Sequence, residues 1–413
     1  MKILNITPTL SIPDLPPFNE NTSGLGYMVK DIMDSTLETS TNITQLDVFV
    51  FRSQHSVSIL NKERVLPINW RLIMRHLKLV RWRVGFGLLL KYGYSLKTFS
   101  HIIYFTLLSG YLISLLKKEK YDIVHIHGVD LFDDFLVEYC KHEEIPFLLT
   151  LHGLNVFGTK MVSTLLKRHE LSFIKRMALE DNYVSFVSTG SMRKILSYFK
   201  LTPTHFSVIQ NAFHLVHGEF SQQNIRFKYN LPQDSIIILY VGNISLRKNQ
   251  AGFVDAFSLL PKNIAKNVYV LFIGRDDVAN SINDAIRSSD YQTHFVNCGF
   301  VDKKEIIQYY SQANGVALVS RSEGFGLALV EGFSYGLPGL AVSNMDAIED
   351  LKSDDALVVA KDLTKESIAE GIKQLITRVW DKAKILEHSK KFSMETMGKK
   401  YVSLYNTILN ATR

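Results

Sequence analysis

The chain has 413 residues, enough for two or three domains, and its formal charge of +7 is a mild excess that favours an anionic partner. Apolar residues make up 46% and charged residues 21%, which excludes a disordered chain. Cys140 and Cys298 lie far apart with no C-x-x-C spacing, which excludes a disulfide scaffold and a cysteine zinc site and points to a reducing, cytoplasmic compartment.

The opening MKILNITPTLSIP has one lysine and no long apolar run, so it reads as a first buried strand and not as a leader. The loop after it, FNENTSGLGYMVKDI (18–32), contains Gly24 and Gly26, which would let backbone approach a ligand. After the strand-like run LDVFVF (46–51), residues 62–120 concentrate lysine and arginine, opposed only by Glu63 and Glu119. Over 62–97 these cations interleave with Trp70, Leu72, Ile73, Leu77 and Trp82. The mixture predicts an amphipathic basic helix suited to an anionic membrane surface, and the plainer reading is a solvated helix face. No nucleic-acid motif accompanies it, so nucleic acid is not an expected partner. The uncharged TFSHIIYFTLLSGYLISLL (98–116) is nearly long enough to span a bilayer. Its serines, His101 and its place just before a strand favour a crossover helix packed on a sheet.

The runs YDIVHIH (121–127), PFLLTLH (146–152) and YVSFVST (183–189) continue the first half. IIILYVG (236–242), NVYVLFIG (267–274), THFVNCG (293–299), NGVALVS (314–320) and LPGLAVS (337–343) occupy the second. Continuous β-branched runs alternating with helical patterns predict parallel sheets covered on both faces, an α/β architecture. The polar, aperiodic stretch 213–235 separates two doubly wound domains, 1–215 and 216–390, followed by a helix over 391–413. Two such domains facing each other would enclose a cleft at the carboxyl ends of their strands.

The chemistry concentrates in SEGFGLALVEGFSYGLPG (322–339). After the strand NGVALVS comes a glycine loop and then an apolar helix. Gly324 and Gly326 leave the helix N-terminus open, so backbone N–H groups can meet phosphate oxygens there. Glu323 stands before that end. Glu331 sits on the helix among Leu329, Val330, Gly332 and Phe333, where a carboxylate is costly to bury without partners. At 1.5 Å per residue the two acids lie at most roughly 12 Å apart along the axis. That is too far to share a proton, but it suits a grip on hydroxyls at the two ends of a nucleoside diphosphate sugar. Read alone, Glu323 is more plainly an acid favoured by a helix dipole.

This stretch resembles the E-x7-E signature of the family 4 glycosyltransferases, retaining enzymes of the GT-B fold with two facing Rossmann-like domains. The likeness extends to VGNISLRKNQ (241–250), LFIGRDD (271–277) and FSVIQNAF (206–213). The resemblance implies catalytic roles for Glu323, His152 in LTLHGLN and Lys248, the last neutralising the departing diphosphate. It gives Glu331 the ribose, and gives Gly324, Phe325, Gly326, Leu327, Gly24, Gly26 and Arg247 places in substrate binding. Asn243 stands where the family usually has arginine, and Arg247 is the candidate to compensate. Independently of the family, cations held where leaving-group charge develops stabilise the transition state most. The resemblance also implies a last helix crossing back to the N-terminal domain, an N-terminal domain for the acceptor, no cofactor and no metal.

The resulting expectation is retaining transfer from a nucleoside diphosphate sugar to a lipid-linked or cell-surface glycan acceptor, at the inner face of the cell membrane. A nucleotide-sugar epimerase on the same fold would convert donor without acceptor. A dinucleotide oxidoreductase needs G-x-G-x-x-G after the first strand, which is lacking, and G-F-G-L-A-L at 324–329 breaks the pattern. A non-catalytic scaffold would tolerate Glu323→Ala.

Overall fold

The computed structural model describes residues 1–12, 15, 18, 23–52, 62–157, 164–213, 224–276, 281–302 and 304–412. Residues 19–22 of the N-terminal glycine loop, 214–223 of the interdomain stretch and Asp277 lie outside these. The chain forms two compact units. One comprises Met1–Val187, Met192–Ile209 and Met397–Arg413, the other Ser188–Ser191 and Gln210–Thr396.

The first unit is built on β1 (Lys2–Thr7), β2 (Gln45–Val50), β3 (Glu63–Val65), β4 (Ile123–His127), β5 (Phe147–Leu151), β6 (Val184–Phe186) and β7 (Phe206–Val208). All pairings are parallel and the order is β3-β2-β1-β4-β5-β6-β7. Every residue of β4 and β5 is buried, as a sheet covered on both faces requires. The second unit carries β8 (Ile236–Val241), β9 (Val268–Ile273), β10 (Phe295–Gly299), β11 (Gly315–Leu318), β12 (Gly339–Val342) and β13 (Leu357–Ala360). These are again parallel, in the order β10-β9-β8-β11-β12-β13. Each apolar run read as a strand is one. β3, β7 and β13 went unread as strands: β3 is Glu-Arg-Val with no apolar run, β7 is only Phe-Ser-Val, and β13 is four residues set in a charged stretch.

Strand order reverses between β1 and β4 in the first unit and between β8 and β11 in the second. Loops leaving the carboxyl ends of such neighbouring strands diverge to opposite faces and leave a crevice, so these two switch points are where ligands are expected.

The basic stretch is not one amphipathic helix. After α1 (Gly24–Thr39) and β3 it breaks into α2 (Trp70–Arg75), a 3-10 turn Leu77–Leu79 and α3 (Trp82–Tyr92), and then enters α4 (Leu96–Glu119). Local chemistry sets the breaks. Asn69 accepts the Leu72 N–H and starts α2, and Ser95 accepts the Thr98 N–H and starts α4. α3 packs along α4 where Gly85 meets Thr106; a Cβ on Gly85 would stand 2.2 Å from Thr106 Oγ1. α4 is long and apolar enough to cross a membrane by length and composition. In the fold Ile102, Phe105, Leu108, Leu112 and Leu116 are buried in one core with Phe49, Phe51 and Val124, so it serves as a crossover helix on the sheet. The last helix, Met394–Thr412, gives the first unit Tyr401, Tyr405 and Ile408, all buried.

Candidate functional site

The second unit's site forms at its switch point. β8 ends at Val241 and turns at Gly242, whose φ of +142° is open to glycine but not readily to other residues. A Cβ there would lie 3.3 Å from Lys248 Cε, so the lysine stem packs over the turn. Gln250 holds the turn by donating from Nε2 to the carbonyls of Gly242 (3.3 Å) and Asn243 (3.2 Å). The buried Tyr240 joins the two strand ends: its hydroxyl donates to the Lys248 carbonyl and accepts the Val319 N–H at 3.1 Å. Across the switch, Glu323 follows β11. Its Oε2 accepts from Lys248 Nζ at 2.5 Å and from Arg247 Nη1 at 3.2 Å, and Arg247 also donates to the Ser322 carbonyl at 2.9 Å.

Burial alone would push the Glu323 carboxyl up. The Lys248 and Arg247 charges, with their hydrogen bonds, outweigh that and hold it below the ordinary carboxylate value. The carboxylate is therefore ionised at neutral pH. Two cations share it, which leaves net positive charge at the turn.

Beyond Glu323 the glycine loop enters the helix Leu327–Ser334, with Gly326 as its N-cap at φ +93°. Gly324 is half-buried and Leu327 opens the helix. Phe325 departs from the expected substrate contact. Its side chain is buried edge-on to Phe392 at 5.9 Å, so only its backbone can serve a ligand. Asn243 is exposed and, unlike Arg247, is held through its carbonyl; it is not part of the ion cluster. Glu331 also differs from expectation, because its partners are not left to a ligand alone. Its Oε2 accepts from the buried Tyr310 hydroxyl at 2.6 Å, and Tyr310 stacks on Tyr335. The carboxylate stays half-buried, so a ribose hydroxyl would join Tyr310 rather than replace it.

In the first unit, Gly24 is exposed at the start of a helix capped by Ser23, and none of the described residues lies within 4 Å of where its Cβ would stand. Gly26 is needed for packing instead: a Cβ would stand 2.4 Å from Ser11 Oγ and 2.7 Å from the Ser11 nitrogen. That pressure is by itself a reason for glycine at 26. His152 follows β5 within a polar layer on one face of the sheet. Asn5 Oδ1 and His127 Nε2 are 2.9 Å apart, and His127 Nδ1 and His152 Nε2 are 3.1 Å apart. The Asn5 amide nitrogen faces the Asp47 carbonyl, so its Oδ1 accepts from His127 Nε2–H. A neutral His127 then offers its Nδ1 lone pair to His152 Nε2–H. The chain of donors leaves His152 Nδ1 as a buried lone pair without a partner among the described residues. Burial pushes the His152 imidazole down to about 4 and those of His125 and His127 well below their ordinary value. Sequence reading missed Tyr240, Gln250, Tyr310, Asn5 and His127 as contributors to these sites: Tyr240, Tyr310, Asn5 and His127 act on residues 21 to 122 positions away, and Gln250 acts within its own turn through a side chain that no motif marks.

Two family models match, the glycosyl transferases group 1 over residues 221–392 and glycosyltransferase family 4 over residues 88–216. The chain belongs to the family 4 glycosyltransferases. An uncharacterised glycosyltransferase of Methanocaldococcus jannaschii is 22% identical over 307 residues, 71% of this chain and 77% of that one. The alpha-monoglucosyldiacylglycerol synthase of Acholeplasma laidlawii is 25% identical over 237 residues, 54% of this chain and 59% of its own length. Among solved structures, Anabaena HepE in complex with UDP aligns with a TM-score of 0.69 at 14% identity, covering 98% of this chain and 100% of that one. The fold of this glycosyltransferase is thus GT-B, with a parallel α/β sheet in each unit.

Proposed function

We propose that the protein is a retaining glycosyltransferase. It moves a sugar from a nucleoside diphosphate sugar to a hydroxyl of a lipid-linked or cell-surface glycan acceptor, at the cytoplasmic face of a membrane. The observation that carries the donor assignment is the convergence of Lys248 and Arg247 on Glu323 at the ends of β8 and β11. A diphosphate placed at that turn meets the surplus positive charge, and the charge it gains on leaving is stabilised by cations already in place. Glu323, kept ionised, supports the positive charge that develops at the sugar's C1. Glu331, held by Tyr310, takes the ribose hydroxyls. The acceptor hydroxyl attacks C1 from the face the diphosphate leaves. A new C1–O bond forms as the old one breaks, and the hydroxyl proton passes to a diphosphate oxygen. The chain's own cations serve the leaving group, so the scheme gives no step to a metal. HepE is described with UDP, and the Acholeplasma relative is named for a glucolipid; both favour this donor and acceptor class.

A thermal-shift panel of UDP, GDP, ADP and CMP, with and without a chelator, tests the donor site. A ligand at about a hundred times its Kd adds roughly 2.7 kcal/mol of stability. One nucleoside diphosphate should raise the midpoint, with the chelator making no difference. A flat response to the whole panel would remove the donor assignment.

A further inference from the structure

We infer that the α3–α4 turn and the outer face of α3 dock this protein on an anionic lipid bilayer, seating apolar side chains below the headgroups and cations among them. The inference concerns a surface apart from the donor site and does not rest on the donor reading.

α3 is apolar on two faces, and the core needs only one. Gly85, Leu88 and Tyr92 face inward and are buried. Trp82, Phe86 and Leu90, one helical turn apart on the other side, are exposed. The exposure grows toward the turn into α4: Leu90 is 66% exposed, Tyr94 83% and Leu96 90%. Apolar side chains this bare in a contiguous run mark an interaction surface, whereas scattered ones would not. Arg83, Lys91 and Lys97 are exposed in the same run. The chain has no aspartate or glutamate from residue 64 to 118.

That charge pattern selects the occupant. A second copy of the chain meeting this face about a two-fold axis would bring these cations against one another with no acid from residues 64–118 to separate them. An anionic headgroup layer instead pairs with every cation. Tyr94 and Trp82 suit the interfacial depth, and the lysine stems can lie along apolar surface with their ammonium groups in the headgroup layer.

The test is sedimentation of the full chain, without any nucleotide, with vesicles of phosphatidylglycerol in phosphatidylcholine and with vesicles of phosphatidylcholine alone. The chain should pellet with the former, less so at high salt. The triple variant Arg83→Gln/Lys91→Gln/Lys97→Gln should partition on the order of a hundredfold less, from about fivefold per cation. Leu90→Ser/Leu96→Ser should lose about tenfold or more per leucine. These side chains are exposed, so circular dichroism and the thermal midpoint should match the parent. Equal pelleting with both vesicles, or variants that bind as the parent does, would overturn the inference. So would a lipid-free dimer that either variant converts to monomer.

Discussion

Glu323 and Glu331 look alike in sequence and take different partners. Glu323 is clamped by two cations, and Glu331 by a neutral phenol. Removing the charge from each should therefore damage different steps. Glu323→Gln keeps the shape but loses the support for charge at C1 and frees Lys248, so kcat should fall on the order of a hundredfold with donor KM little changed. Glu331→Gln weakens a hydrogen bond to a charged acceptor, worth about 1.5–3 kcal/mol, so donor KM should rise roughly tenfold or more with kcat nearly kept. Steady-state kinetics with varied donor separate the two; equal effects on both parameters would argue against the ruler-like placement of the donor. The acids themselves were legible, because a carboxylate in an apolar helix is conspicuous. Their partners were not. Lys248 lies 75 residues from Glu323 and Tyr310 lies 21 from Glu331, separations that only the parallel sheet closes.

At the scale of elements, β1, β4 and β5 place Asn5, His125, His127, Thr150 and His152 in one polar layer, with His125 also bonded to Thr150 (2.6 Å) and Tyr405 (2.7 Å). The strands were plain from their apolar runs. The layer was not, since alternate residues of a doubly covered strand carry no mark of which buried face is polar. The basic stretch failed differently: its composition was read correctly, but the 3-10 turn Leu77–Leu79 with the extended Val80, and then the capping Ser95, divide it into separate helices. The histidine layer has a consequence for acid stability. Burial sets all three imidazoles below their ordinary value, so between about pH 6.5 and about 4 the unfolded chain binds protons that the folded one refuses. Stability from this source is complete above that window and falls as pH drops through it, by about 1.4 kcal/mol per pH unit for each group. Denaturant titrations across the window should show the decline, and His125→Gln should make it shallower. A slope that the substitution leaves unchanged would mean the layer does not titrate as described.

At the scale of the whole chain, sequence order and folding unit do not coincide. Met397–Arg413 completes the first unit although it follows the second. Gly398 is part of the reason: a Cβ there would stand 2.2 Å from the Ser35 carbonyl oxygen, so the last helix lies directly on α1. Tyr401, Tyr405 and Ile408 fill the core beneath, and Tyr405 supplies the partner of His125 Nδ1. Burying a large apolar side chain contributes about 1.5–3 kcal/mol, so these three approach the roughly 5–15 kcal/mol that a folded domain has in total. His125 would in addition lose its partner inside the core, at about 1–3 kcal/mol. A chain ending at residue 396 should therefore keep slow amide exchange in β8, β9 and β11 and lose it in β4 and β5. A fragment 1–209 should fail to fold alone. Joining residues 394–412 to that fragment through a flexible glycine-serine linker should restore protection in β4 and β5, because the linker supplies the missing core without the second unit. If fragment 1–209 protects those strands unaided, the last helix is an accessory to the first unit and not part of its core.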